Sequence, residues 1–231
     1  MGVSDSQHFR KMVAGVCMVV APVLLVVGFA ISPPLETAAG KLLATTAQHQ
    51  DRALISTFVA MFALILLVGA TLGLMHMMRE RGAGYGNVGG GIALLGLLGV
   101  MASFSVGFMV WQMTKDGVSV ADARLLHEYN QSAGAIVIGV LGFVMAVGYV
   151  ILAMGLYRAH FVDWWMAMLV AIGPVLIEVG FPAHALWFAI VGSAFVLVGL
   201  GSIGLMVLRE TDEDWEHTPE YRGFRPAEGM S

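Results

Sequence analysis

Cysteine occurs once in this chain, at Cys17, inside the first apolar run. One thiol excludes an internal disulfide and any cysteine-rich metal or iron–sulfur site, so Cys17 reads as a packing residue. Charge is equally scarce: Asp, Glu, Lys and Arg make up 12% of the 231 residues, against 58% hydrophobic. A soluble domain of this length cannot hide that much apolar surface, because its outer face needs more charge. Lipid is the solvent that fits. The net charge of −4 is carried at loops and ends and offers no basic face to nucleic acid. A secretory cleavage pattern is also missing. Ser32-Pro33-Pro34 follows the first run without an A-x-A site, and Met12–Ile31 is longer than a signal-peptide core, so it reads as a retained helix. The start Met1-Gly2-Val3-Ser4-Asp5-Ser6 matches an acylation pattern, but an acyl chain adds little to a multi-span protein.

Six apolar runs are present: Met12–Ile31, Ala53–Met78, Val88–Met113, Ala133–Tyr157, Phe161–Phe181 and Ala183–Leu208. Each has at least 20 residues, enough to cross a hydrocarbon layer of roughly 30 Å as a helix. No period-two alternation suggests barrel strands, and lipid demands that backbone groups pair within the segment. The expected fold is an all-α membrane protein with six transmembrane helices arranged as three helical hairpins. Residues 1–11 form an N-terminal cytoplasmic segment, 12–208 the bundle, and 209–231 an acidic, disordered cytoplasmic tail. Orientation follows from basic residues. With the N-terminus inside, eight of them (Arg10, Lys11, Arg79, Arg81, Arg158, Arg209, Arg222 and Arg225) fall on the cytoplasmic side. Four, Lys41, Arg52, Lys115 and Arg124, fall outside. The bias places both termini in the cytoplasm. Trp164 and Trp165 mark the inner interface, Trp111 and Trp187 the outer one.

The return helices of the three hairpins end alike, and Lys41-Leu42-Leu43 in one outer loop echoes Arg124-Leu125-Leu126 in another. Both loops contain amphipathic stretches expected as short helices on the outer surface. Chance recurrence of Gly, Leu, Val and Met explains most of this echo, with duplication as the alternative. Small residues at four-residue spacing, Gly99, Ser103 and Gly107 on the third helix and Ala185, Ala189 and Ser193 on the sixth, allow close helix approach. Pro22 and Gly173-Pro174 are expected to kink their helices. GNVGGG at 86–91 lacks the Gly-Lys-Ser/Thr ending of a phosphate loop and reads as packing.

The segments MGLYRAHFVDWW at 154–165 and ISPPLETAAGKLLATTAQHQDR at 31–52 resemble an uncharacterised family of six-span bacterial membrane proteins, largely actinobacterial. The resemblance runs from about Met12 to Leu208; members often carry proline where Asp163 stands. It implies a six-helix fold in a bacterial inner membrane and no activity.

Chemistry-bearing residues gather at the outer end of this topology: His49, His127, Glu128, Glu178 and His184. Apart from Asp163 at the start of the same run, Glu178 is the one acidic residue inside an apolar run, and His184 follows across a Gly-Phe-Pro turn. An ionisable side chain at membrane depth marks a site whose partner must be named, and His184 is the nearest. A structural Glu178–His184 pair is the leading reading, with snorkelling of Glu178 to water beside it. Two histidines and a carboxylate also form a common zinc or iron ligand set, which makes His49, His127, Glu178 and His184 a candidate metal site. No HExxH-like motif supports it. His76 and His160 invite a bis-histidine haem reading, but both approach the membrane boundary and read as interface residues. The expected role is a non-enzymatic accessory, subunit or binding protein working with membrane lipids, a protein partner or a second copy. The alternatives are a metal-dependent membrane hydrolase with an outer His/Glu site, and a small transporter. No cofactor is assigned.

Overall fold

The computed structural model describes residues 3–212 and Trp215, and no strand occurs among them. Eight helices follow in order: α1 Val3–Ile31, α2 Ala39–Gln48, α3 Gln50–Met77, α4 Ala83–Met113, α5 Val120–Asn130, α6 Ala133–Arg158, α7 Trp164–Gly180 and α8 Leu186–Arg209. Five of them, α1, α3, α4, α6 and α8, are long and apolar enough to cross a membrane. The chain is an all-α membrane protein, since only such helices satisfy their own backbone in lipid.

Two boundaries differ from the sequence expectation. Helix α1 begins at Val3, so residues 3–11 extend the first helix and do not form a separate segment. Helix α7 is shorter than its apolar run. Asp163 takes the extended backbone of an N-cap, and Pro182, which has no N–H, ends the helix after Gly180. Its 17 residues reach about 25 Å, less than the roughly 30 Å hydrocarbon layer.

Helix α1 packs against α3 and α8, α3 against α4, α4 against α6, α6 against α7, and α7 against α8. Chain neighbours are thus space neighbours, and the last long helix returns to the first. The short helices α2 and α5 lie on each other at the end away from the termini. Ser119 starts α5 with a capping box, its hydroxyl taking the Asp122 N–H at 3.1 Å. Leu43 and Leu126, equivalent positions of the Lys-Leu-Leu and Arg-Leu-Leu echo, are both buried in a small core with Ala39 and Val110. The echo therefore marks a packing role shared by the two short helices.

Helix contacts rest on missing side chains. A methyl group on Gly192 would lie 2.6 Å from the Gly173 carbonyl oxygen, and one on Gly89 would lie 2.9 Å from the Leu152 nitrogen. These pairs bring α7 onto α8 and α4 onto α6 at backbone distance. The stripe on α4 serves two neighbours: Gly99 faces Leu141 of α6 and Gly107 faces Thr57 of α3.

At the other end the start of α1 is clasped to the residues that follow α8. Lys11, almost fully buried, donates to the Glu210 carbonyl at 2.9 Å and pairs with the Asp212 carboxylate. His8 Nδ1 lies 3.2 Å from the same carboxylate. Trp215 is buried and stacks on His76, with centroids 4.9 Å apart. The first part of the expected tail is thus packed; positions 213–214 and 216–231 lie outside the described residues.

Two outcomes follow. Gly192→Val should destabilise the protein by about 1–3 kcal/mol through overpacking. Gly91→Val, where nothing lies within 4 Å, should leave the melting temperature in one detergent unchanged. The clasp carries a pH dependence. The hydrogen bond from Lys11, then His8, holds the Asp212 carboxyl below its ordinary value of 3.8. A depressed carboxyl stabilises the folded state above that ordinary value and loses its contribution as pH falls through the folded one. Asp212→Asn should therefore melt earlier than the parent at neutral pH, and the difference between the two curves should shrink as the pH falls below 3.8.

Candidate functional site

The short α7 decides where Glu178 sits. Its last turn does not reach the end of α6. The Glu178 carboxyl occupies the space a side chain on Gly142 would fill. Gly142 lies nine residues inside α6 from Ala133, about 14 Å along the axis and close to the midpoint of that 26-residue helix. Glu178 is 7% exposed and forms no hydrogen bond or ion pair with another described residue. Snorkelling to the surface is thereby replaced by burial at depth.

The carboxyl borders a small cavity of about 30 Å³ walled by the five long helices and α7: Leu25 of α1, Leu64 of α3, Val100 of α4, Tyr149 of α6, Ile177 of α7 and Val196 of α8. That volume matches roughly one water molecule. Toward the α2–α5 end it is bounded by Phe29, Phe104 and Phe181, whose ring centroids lie 6.0 to 6.5 Å apart. Toward the termini stands a buried hydroxyl pair, Tyr149 Oη and Thr71 Oγ1 at 2.8 Å. Thr71 gives its only proton to the Leu67 carbonyl at 2.8 Å. Tyr149 is then the donor to Thr71. Pro174 also lines the cavity and deprives the Val170 carbonyl of its usual N–H partner. Pro182 does the same to the Glu178 carbonyl.

The other expected site residues do not converge here. His184 is exposed in the α7–α8 turn, with a left-handed backbone (φ 49°), and makes no bond to Glu178. Its N–H donates to the Phe181 carbonyl at 3.0 Å, within a turn that leaves the side chain exposed while Glu178 is buried. The proposed Glu178–His184 pair is absent for that reason. His49 Nδ1 lies 3.2 Å from the Thr45 carbonyl oxygen, a contact within its own helical turn. His127 is exposed and meets Gln131 at 3.0 Å, and Glu128 accepts from Arg124 at 2.8 Å. No group of three or more metal-binding side chains forms among the described residues. The set His49, His127, Glu178 and His184 is therefore dispersed across separate elements. His76 and His160 are likewise apart in role, one stacked on Trp215 and the other exposed in the α6–α7 turn.

Sequence reading missed Tyr149, Thr71 and Gly142. A tyrosine in the middle of an apolar run was a usable signal, since its hydroxyl must find a partner in lipid. Gly142 gave none, being one of 29 glycines.

Because Glu178 leaves no partner behind, Glu178→Leu should keep or raise the melting temperature. Apolar replacement of a buried ionisable group is often neutral or stabilising. Tyr149→Phe should cost about 0.5–1.5 kcal/mol, the worth of one buried hydrogen bond. Melting curves of both variants in one detergent check the pair. A Glu178→Leu protein that melts much earlier would reveal a partner for the carboxyl.

No family model, no curated protein and no solved structure matches the chain, so its functional reading rests on the geometry of this site.

Proposed function

We propose that this chain is a non-enzymatic, multi-pass protein of a bacterial inner membrane that binds one small cation, a proton or a bare alkali ion, at Glu178. In this reading α7 also spans, giving six transmembrane helices in three hairpins, with both termini cytoplasmic as the basic residues suggest. The bacterial membrane is the compartment implied by the resemblance at 31–52 and 154–165. The supporting observation is the buried Glu178 carboxyl, without a partner among the described residues, in a cavity walled by the five long helices and α7. An isolated negative charge at membrane depth is expensive, so the group calls for a proton or a cation. The C-terminal end of α7 adds the negative pole of its dipole, and a helix that stops at depth is an arrangement suited to cation coordination. Tyr149 also lines the cavity, its hydroxyl bonded to Thr71. A cavity of about 30 Å³ admits no organic substrate, which favours an ion over a lipid-linked compound. A hydrolytic metal site would require His49, His127 and His184 to converge, and they sit on separate elements.

Purified protein in one detergent provides the test. A sodium-dependent rise in melting temperature, measured against choline and lost in Glu178→Gln, identifies an alkali ion. A protonated-acid carbonyl band in the infrared spectrum, lost in the same variant, identifies a proton. A parent protein that shows neither signal overturns the reading.

A further inference from the structure

At the end of the molecule that carries the termini, the turn between α3 and α4 meets the turn between α6 and α7. Between them lies an open cleft of about 520 Å³. Among the described residues its charged walls are basic, with Arg81 from the first turn and Arg158 and His160 from the second, and no described acidic side chain lines it. We propose that this cleft binds a phosphate group, and that it does so independently of the Glu178 site.

The Arg158 guanidinium is held in place. It donates to the Tyr85 hydroxyl and lies 5.5 Å from the centre of that ring. Fixing a long side chain beforehand reduces the entropy lost on binding, and a guanidinium fork matches two phosphate oxygens at once. Tyr85 belongs to the first turn of α4, and Gly82, the residue before that helix, is also on the cleft wall. No side chain caps α4, so its first N–H groups reinforce the positive potential there.

His160 gives an independent indication. The Phe161 N–H reaches back to the Leu156 carbonyl at 3.1 Å, which ends α6 in a turn whose penultimate residue is left-handed. Glycine is the usual occupant of that position, yet histidine stands there at φ 57°. A strained backbone that delivers an imidazole to a basic cleft points to a use for the imidazole.

The depth of the cleft favours a lipid as the source of the phosphate. Helices α4 and α6 are apolar up to this level, and Trp164, 62% exposed, starts α7 just beyond it, as aromatic residues do at headgroup depth. Basic pockets between helices at this level recognise anionic headgroups.

The test uses the full chain in nanodiscs of phosphatidylcholine with or without phosphatidylglycerol, and counts retained lipids by native mass spectrometry. The parent should keep one anionic lipid, and Arg158→Gln should retain it about tenfold less, the change expected when a charge-assisted phosphate contact is lost. His160→Gly separates binding from folding: it should raise the melting temperature by relieving the left-handed strain while weakening lipid retention. If inorganic phosphate alone stabilises the detergent-solubilised parent and the lipid adds nothing, the source is a soluble phosphate compound. Equal retention by parent and Arg158→Gln at matched melting temperatures, or no response of the parent to either ligand, overturns the proposal.

Discussion

Close backbone approach at glycine is the constraint on which this structure depends. In lipid there is no hydrophobic drive to bring helices together, so packing contacts must supply the association. Gly173 with Gly192 and Gly89 with Gly148 let helix axes come near enough for those contacts to accumulate. Because each long helix packs on its chain neighbour and α8 returns to α1, the helices enclose an interior instead of forming a sheet of rods. The cavity at Glu178 exists because that interior closes.

Helix α7 is the element that gives the interior its chemistry. An apolar helix about 25 Å long, limited by Asp163 at one end and Pro182 at the other, cannot match α6 beside it. The mismatch sets the last turn of α7 against the middle of α6, where Gly142 leaves room for a carboxyl. A longer α7 would have carried Glu178 to the surface and made it one more interfacial acid. The phenyl cluster of Phe29, Phe104 and Phe181 and the Tyr149–Thr71 pair then bound the site from its two sides.

The two ends of the molecule carry different work. At one end lie the Lys11–Asp212 clasp and the basic cleft of Arg81 and Arg158. Toward the other end lie α2 and α5, joined by Leu43 and Leu126. Histidine occupies a left-handed position at the turn on either side of α7, His160 before it and His184 after it. Those turns end α6 and α7 abruptly and set where α7 starts and stops.

Hydropathy in the sequence was sufficient to determine the solvent, the helical class and five of the long helices, because a continuous apolar run in lipid has one backbone solution. The amphipathic patterns of α2 and α5 were legible for the same local reason, and so was the special standing of Glu178, an acid deep within an apolar run. Its partner was not legible. Sequence distance suggested His184, six residues on, whereas a left-handed turn carries that histidine outward. The residues that surround Glu178, Gly142 and Tyr149, come from a helix more than 25 positions earlier. Periodicity shows which face of a helix avoids polar groups but not how far one helix slides along another. That offset is set by where glycines permit contact and where caps stop a helix. Only the tertiary structure decides it, and it places the carboxyl in the interior.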